Sequence, residues 1–224
     1  MLTVAIVYHS GYGHTTKLAQ AAAAGAQSLQ GTNTYLFSTD ELDAKAWEVL
    51  NNADAMIFGA PTYMGSVSAG FKEFMDKSGK VWLDQKWRDK VAGGFTTSGS
   101  YSGDKLAVLQ QLAGFAAQHG MIWVSLGLKP GDSPENAANT HVLNRLGSYL
   151  GAMARSTSDS PEITPPKGDL DTAYHLGRRV AEIAQRFAAG AKILADATTL
   201  NNSYTNGSAT NGSYTNGSLK TSAH

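Results

Sequence analysis

Short apolar segments alternate along most of the chain with longer segments in which apolar positions recur at helical spacing. The apolar segments contain about five residues each and few charges, which is typical of strands buried on both faces of a parallel sheet. Such strands separated by helices indicate βαβ units. The predicted strands are Val4–Tyr8, Thr34–Phe37, Ala55–Gly59, Lys90–Thr97 and Met121–Leu126, and the predicted helices are His14–Leu29, Leu42–Leu50, one around Phe71–Met75, Lys105–His119 and Leu170–Ala189.

The connection Gly127–Gly168 does not follow this alternation. It is rich in Gly, Pro, Ser and Asn, and its pattern predicts at most a short helix near His141–Leu146. Because connections of this length in compact domains are usually functional or flexible, we expect it to be one or the other.

The end of the chain has a different composition. The polar unit Ser203–Ser208 recurs as Ser213–Ser218. A segment of this kind cannot bury enough apolar surface to offset the entropy that ordering costs. We therefore predict one domain of residues 1–195 and a disordered, low-complexity tail of residues 196–224.

Composition narrows the classes of function. The 18 Lys and Arg residues balance 18 Asp and Glu residues, so no net charge attracts nucleic acid or an anionic membrane. The absence of cysteine excludes disulfides and thiol catalysis, and His141 and His175 lack metal-ligand spacing, so no metal site is assigned. Met1–Tyr8 has no basic region typical of a secretory signal, and no stretch approaches the roughly 20 apolar residues of a membrane span. We expect a cytoplasmic protein with neither nucleic-acid nor membrane partners.

Three loops follow the first, third and fourth predicted strands, where open parallel sheets bind their ligands. The first loop contains Ser10, Gly11, Tyr12, Gly13, His14 and Thr15. Glycines let the backbone approach phosphate oxygens, and hydroxyls and free N–H groups at a helix N-terminus stabilise a dianion. A glycine-rich turn in which Ser10 or Thr15 caps the helix explains the same residues equally well.

Two other phosphate-binding motifs fit the first loop less well. The spacing of a P-loop, with its lysine, is absent. A dinucleotide fingerprint matches at Gly11 and Gly13, but Thr16 stands where the third glycine belongs. Asp40 could serve as the ribose-binding acid, so this alternative stays open.

The second and third loops are also suited to a ligand. The second loop contains Pro61, Thr62, Tyr63, Met64 and Gly65, and the third contains Thr97, Ser98, Gly99, Ser100, Tyr101 and Ser102. The second combines backbone donors with a flat apolar surface, as a planar heteroaromatic ring requires, and the third is almost uniformly small and polar. Taken singly, an ordinary strand-to-helix turn and a flexible surface loop explain them.

Four segments, in order, resemble the WrbA-type NAD(P)H:quinone oxidoreductases, within the flavodoxin-like superfamily and the NADPH-dependent FMN reductase family. They are Ser10–His14, Pro61–Gly65, Met75–Gly79 and Gln118–Met121, and the resemblance covers about residues 3–190. It implies an α/β, flavodoxin-like fold with a five-stranded parallel sheet in the order 2-1-3-4-5, flanked by helices. It also implies FMN, with its phosphate in the first loop, its isoalloxazine beside the second, and its pyrimidine edge and ribityl chain at the third.

The resemblance implies roles for three further positions. His119 matches a histidine that contacts flavin in the family, although a helix cap explains it nearly as well. Tyr12 matches a nicotinamide contact, and Trp82 a tryptophan lining the substrate space that a neighbouring subunit sometimes supplies. The chain departs from the family in a shorter segment between strands two and three, and in Tyr63-Met64 where Arg-Phe is usual.

The expected function is an FMN-dependent oxidoreductase that passes electrons from NADPH or NADH to a quinone or similar small acceptor, in a homodimer or homotetramer. No catalytic side chain is assigned, because the chemistry takes place at flavin N5. A flavodoxin-type one-electron carrier is an alternative, disfavoured because balanced charge creates no field that steers a redox partner. A non-enzymatic FMN-binding regulatory module, with the tail as its binding arm, is another.

Overall fold

The computed structural model describes the backbone of residues 1–131 and 139–206, and side chains within these ranges up to residue 195. The chain divides into two compact units, Met1–Phe187, which carries the sheet, and Ala188–His224. The last helix continues to Asn206, beyond its predicted end at Ala189. The rest of the predicted tail, residues 207–224, lies outside the described residues, so the boundary at residue 195 stays a prediction.

Strands and helices alternate as the sequence predicts. In chain order the elements are β1 (Leu2–Tyr8), α1 (His14–Gln27), β2 (Thr32–Ser38), a 3₁₀ helix (Thr39–Glu41), α2 (Ala44–Asn52), β3 (Ala55–Tyr63), β4 (Ser66–Val67), α3 (Ala69–Lys77), α4 (Gly79–Leu83), β5 (Val91–Ser98), α5 (Lys105–Gln118), β6 (Ile122–Trp123), β7 (Ala152–Arg155) and α6 (Lys167–Asn206). Helices α1 and α6 cover one face of the sheet, and α3 and α5 cover the other. Because both faces are covered, successive β1 residues are all buried, Val4 and Ile6 on one side and Ala5 and Val7 on the other.

The order of the sheet confirms the predicted fold class. Strands β2, β1, β3 and β5 lie side by side and parallel, and a fifth position follows at the edge of β5. Two short strands occupy that fifth position: β6 pairs with the start of β5, and β7 pairs with its end, both in parallel. Strand β4 is an additional antiparallel partner of β3.

The prediction of one continuous fifth strand over Met121–Leu126 is wrong. Only Ile122–Trp123 pairs with β5, and the chain then leaves the edge and returns at β7. The indole N–H of Trp123 donates to the Leu150 carbonyl at 2.9 Å, and the Leu126 N–H donates to the Tyr149 carbonyl at 2.8 Å, which joins the two ends of the excursion.

The helix predicted near His141–Leu146 is also absent, and this stretch forms turns. Asn144 adopts a left-handed conformation, with φ of 49°, which interrupts a right-handed helix. Its side-chain amide donates to the Ser148 carbonyl at 2.9 Å and accepts from the Ser148 N–H at 2.8 Å. The buried side chain of Asn144 therefore stabilises the turn between Asn144 and Ser148 through these two hydrogen bonds.

Candidate functional site

The carboxyl ends of β1, β3, β5 and β7 border a single cavity of about 610 Å³. Nine of the residues predicted for the three loops line it, together with five from a segment that the sequence did not single out. The lining residues are Tyr12, His14, Thr15, Pro61, Thr62, Tyr63, Thr97, Ser98 and Gly99 from the predicted loops, and Ser156, Thr157, Ser158, Asp159 and Ser160 after β7.

The first loop curls around the hydroxyl of Ser10. Its Oγ accepts hydrogen bonds from the N–H groups of Gly13 at 3.1 Å and Thr16 at 3.3 Å. Gly13 has φ of +86°, a conformation that favours glycine, and α1 begins at the next residue. No acidic side chain lies in the first turn of α1 and Gly13 has no capping side chain, so the positive end of the helix dipole is open to an anion.

The second loop combines a polar anchor with aromatic walls. The hydroxyls of Thr62 and Thr96 lie 2.8 Å apart, which ties the end of β3 to β5. The Tyr63 ring meets the Tyr12 ring edge to face, with centroids 6.2 Å apart. Burial is the main cause that raises the pKa of Tyr63, to which Tyr12 adds, while a hydrogen bond with the Gly11 backbone opposes the shift.

Met64 and Gly65 turn the chain rather than line the cavity. Both have positive φ, of 50° and 76°, and they join Tyr63 to Ser66 in a two-residue hairpin between β3 and β4. The Met64 side chain is fully exposed. The described wall of the cavity therefore includes Pro61, Thr62 and Tyr63 but not these two residues.

The third loop is held by two cations that sequence reasoning missed. Lys105, completely buried at the start of α5, donates to the Ser98 hydroxyl at 2.9 Å and the Ser100 carbonyl at 2.6 Å. Arg155 donates from Nε to the Gly99 carbonyl at 3.0 Å, and its guanidinium lies 4.3 Å from the centroid of the Tyr101 ring. Ser98 and Gly99 reach the cavity, whereas Ser100, Tyr101 and Ser102 are not in its wall.

A fourth loop, Ser156–Ser160, completes the cavity and was missed by the sequence analysis. It follows β7, whose parallel pairing with β5 brings its carboxyl end to the same edge of the sheet. The Thr97 and Ser156 hydroxyls lie 2.7 Å apart. Its run of four hydroxyl side chains and one aspartate after a short apolar segment was the sequence feature that could have predicted a ligand-binding loop here.

The chain beyond the fourth loop is fastened to the start of α1. A Cβ added to Gly13 would lie 2.7 Å from Cγ of Pro161, so Pro161 packs directly on the first loop. Lys17 pairs with Glu162 at 2.7 Å, and Nδ1 of His14 lies 2.7 Å from the Thr164 carbonyl. These contacts join the first and fourth loops into one wall.

The structure does not bring His119 to this cavity. His119 caps the C-terminus of α5, and the neighbouring Gly120 carbonyl accepts from the Asp89 N–H, just before β5 begins. A helix that follows a strand returns to the opposite edge of a parallel sheet, and the 14 residues of α5 span about 21 Å. His119 therefore lies near the amino ends of the strands, which its place in the sequence could have indicated.

Trp82 is not in the described wall of the cavity either. It lies on α4 with 45% of its surface exposed. Its predicted role beside a substrate stays a prediction, as does the flavin contact of His119.

Within the described residues, no helix combines the length and apolar character needed to cross a bilayer. Across the same residues, no group of three or more His, Cys, Asp or Glu side chains is arranged to hold a metal ion.

Known proteins resemble this chain over most of its length. The family described as NADPH-dependent FMN reductase matches residues 8–128. The protein named flavodoxin FldP from Pseudomonas aeruginosa is 44% identical over 189 residues, which are 84% of this chain and all of the relative. An NAD(P)H dehydrogenase (quinone) from Archaeoglobus fulgidus is 32% identical over 207 residues, covering 83% of this chain and 99% of the relative.

A solved structure has a similar fold. The crystal structure of a flavodoxin, WrbA-like protein from Agrobacterium tumefaciens aligns with a TM-score of 0.66 and 42% identity. The alignment covers 83% of this chain and 99% of that protein.

Proposed function

Since this chain belongs to the NADPH-dependent FMN reductase family, we propose that it binds FMN in the cavity and passes electrons from NADPH or NADH to a quinone or similar small acceptor. One observation carries the proposal: loops from β1, β3 and β5, predicted separately, converge on a cavity of about 610 Å³. The name of the relative at 32% identity, NAD(P)H dehydrogenase (quinone), supports the choice of donor and acceptor.

The first loop fits a phosphate group without a lysine or arginine of its own. The Ser10 Oγ already accepts two N–H groups, so its own O–H remains available to donate. The start of α1 adds the field of the helix dipole, and Thr15 adds a hydroxyl to the cavity wall. Neutral donors at a helix N-terminus suffice to bind a phosphate dianion.

The remaining walls fit a flat ring with one polar edge. Pro61, Tyr63 and Tyr12 supply apolar and aromatic surface, and the third loop supplies hydroxyl and amide groups. Bound FMN would supply the hydride acceptor, and the side chains described here bind it, orient it and exclude water. The proposed cofactor-binding residues are those of the three loops, Ser10–Thr15, Pro61–Gly65 and Thr97–Ser102, with Tyr12 also beside the nicotinamide. Those that line the cavity are Tyr12, His14, Thr15, Pro61, Thr62, Tyr63, Thr97, Ser98 and Gly99.

The test of this function is spectroscopic and kinetic. Purified protein, or apoprotein mixed with FMN, should show the absorption of bound oxidised flavin. Adding NADPH or NADH without oxygen should bleach it, and benzoquinone should restore it. Bound flavin that neither nucleotide reduces would contradict the proposed activity, and failure to take up FMN would contradict the site.

A one-electron carrier is the second candidate, because the relative at 44% identity is named a flavodoxin. The two functions differ in how bound flavin takes up electrons. An NAD(P)H:quinone oxidoreductase should reduce in a single two-electron wave during a potentiometric titration, and a carrier in two well-separated one-electron waves. The balance of 18 positive and 18 negative side chains favours the former, since it creates no net field to steer a protein partner.

We also propose a homo-oligomer and a cytoplasmic location. The half-exposed Trp82 supports the first, because exposed aromatic side chains are enriched at subunit interfaces. The absence of cysteine supports the second, being compatible with a reducing compartment. Analytical ultracentrifugation of the purified protein tests the assembly. The measured mass should exceed the monomer mass of 23.6 kDa.

A further inference from the structure

Lys105 is unusual because it is a completely buried lysine with no carboxylate partner of its own. Within the described side chains, no Asp or Glu lies at ion-pair distance from its Nζ. Its partners are instead the Ser98 hydroxyl at 2.9 Å and the Ser100 carbonyl at 2.6 Å. Burying an ammonium group costs free energy that a paired carboxylate would normally offset. A role of Lys105 in the neighbouring cavity would explain why an unpaired ammonium group is buried at this position.

The groups around Lys105 leave an excess of positive charge. Arg145 holds the buried Asp169 in a bidentate pair with both distances at 2.7 Å, and the backbone N–H of Arg155 donates to the same carboxylate at 2.8 Å. The carboxylate of Asp169 is thus paired with Arg145, and among the described residues neither Lys105 nor the Arg155 guanidinium has an ion-pair partner of its own. Each cation is hydrogen-bonded to a residue of the cavity wall, Lys105 to Ser98 and Arg155 to Gly99.

The two cations also orient the third loop. Lys105 holds the Ser100 carbonyl and Arg155 holds the Gly99 carbonyl. In a trans peptide the N–H points away from the preceding C=O, so the N–H groups of Tyr101 and Ser100 are turned away from these cations. Neither N–H has a hydrogen-bond partner among the described residues. The loop therefore presents free donors on the side opposite its clamps.

We propose that Lys105 and Arg155 are positioning residues for bound flavin: they hold the third loop with its N–H groups free, and their positive charge favours the reduced over the oxidised cofactor. This inference rests on the proposed function. Two-electron reduction of FMN with uptake of one proton adds one negative charge to the ring. A poorly screened cation near that charge stabilises it more than an exposed cation would.

Burial is the main cause that lowers the pKa of Lys105, to about 8, and Arg145 and Arg155 lower it further while Asp169 opposes the shift. The ammonium therefore remains mostly charged at neutral pH.

The experiment compares three substitutions of Lys105 with a matched lysine elsewhere. Lys105→Gln keeps a hydrogen-bond donor without the charge, Lys105→Met removes both, and Lys105→Arg keeps the charge. Lys90→Met is the control, because Lys90 is partly buried and, like Lys105, donates to a backbone carbonyl, in this case that of Ala53 at the amino end of β5. The measurements are FMN affinity by fluorescence quenching, the midpoint potential of bound FMN, and thermal unfolding of the apoprotein.

We expect Lys105→Gln to bind reduced FMN at least tenfold more weakly relative to oxidised FMN, which corresponds to a potential about 30 mV more negative for a two-electron couple. Lys105→Met should show the same shift and also bind oxidised FMN more weakly, whereas Lys105→Arg and Lys90→Met should keep the wild-type potential. Lys105→Gln with an unchanged potential, or an equal shift in Lys90→Met, would overturn the inference alone. Wild-type protein that takes up no FMN would overturn the proposed function, and this inference with it.

Discussion

The imidazole of His119 lies 4.4 Å from the Trp87 indole, measured between ring centroids, and its Nε2 is 2.9 Å from the Ser78 hydroxyl. His119 and Trp87 are both almost completely buried, and Nδ1 of His119 has no hydrogen-bond partner among the described residues. This environment favours the neutral imidazole over the charged form. Although His119 caps a helix C-terminus, where a positive charge interacts favourably with the dipole, burial outweighs that attraction and lowers its pKa to about 4.

The first prediction concerns acid stability. The unfolded chain takes up a proton on His119 near pH 6.5, whereas the folded protein does so only near pH 4. The free energy of unfolding should therefore be unaffected by His119 above pH 6.5 and fall between these values by about 1.4 kcal/mol per pH unit. Urea unfolding at pH 7 and pH 5 should show this loss in the wild type and a smaller one in His119→Gln. His141→Gln, at an exposed position, is the control and should keep the wild-type loss.

The second prediction concerns the contact between α1 and α6. A Cβ added to Gly25 would lie 1.9 Å from the Tyr174 carbonyl oxygen, and one added to Gly177 would lie 1.9 Å from the Ala22 carbonyl oxygen. Because backbone atoms cannot move aside as side chains do, Gly25→Ala or Gly177→Ala should lower the free energy of unfolding by about 2–3 kcal/mol or more.

Gly114 in α5 provides the matched control for this contact, since a Cβ there meets nothing within 4 Å. Gly114→Ala should raise the free energy of unfolding by about 0.5–1 kcal/mol, as alanine does in an open helix interior. Equal effects at Gly25 and Gly114 would show that helix propensity, and not close packing, dominates at both positions.

The third prediction concerns alkaline stability. The pKa of Lys105 is about 8 in the folded protein, well below its ordinary value of 10.5. Between these values the unfolded chain holds a proton that the folded protein has released, so the contribution of Lys105 to stability should rise with pH from 8 to 10.5. The free energy of unfolding of the wild-type apoprotein should therefore rise relative to that of the Lys105→Gln apoprotein as the pH increases from 8 to 10.5. A difference independent of pH would contradict the burial of a charged lysine.

The fourth prediction separates phosphate binding from ring binding. Ser10→Ala removes the oxygen that organises the Gly13 and Thr16 N–H groups, together with a free O–H donor. Because hydrogen bonds to a charged group are worth about 1.5–3 kcal/mol, FMN affinity should fall roughly 10- to 100-fold. Riboflavin, which lacks the phosphate, should bind with nearly unchanged affinity.

Ser28→Ala is the control for this comparison. Ser28 lies at the other end of α1, where its hydroxyl donates to the Gly25 carbonyl at 2.7 Å. It should leave the ratio of FMN to riboflavin affinity as in the wild type. Equal losses of FMN and riboflavin affinity in Ser10→Ala would place the phosphate elsewhere.

Much of the fold and three of the four cavity loops were predictable from the sequence. Strands such as Val4–Tyr8 and Ala55–Gly59 are apolar along most of their length because a parallel sheet is covered on both faces. Their burial is therefore visible in the local sequence pattern and makes them predictable. Once strands and helices alternate, every strand-to-helix loop must lie at the carboxyl edge. That constraint placed the first three loops beside one another, and the family matches the predicted resemblance.

Only the tertiary structure showed which segments distant in sequence also lie at the carboxyl edge of the sheet. Strand β7 has four residues, and it forms because β5 offers an unpaired edge, so the pattern of Ala152–Arg155 alone does not predict it. The fourth loop reaches the cavity as a consequence of this pairing. The environment of Lys105 likewise consists of Ser98, Ser100 and the residues around Asp169. These residues lie 5 to 64 positions away in the sequence, so no local periodicity predicts that Lys105 is buried.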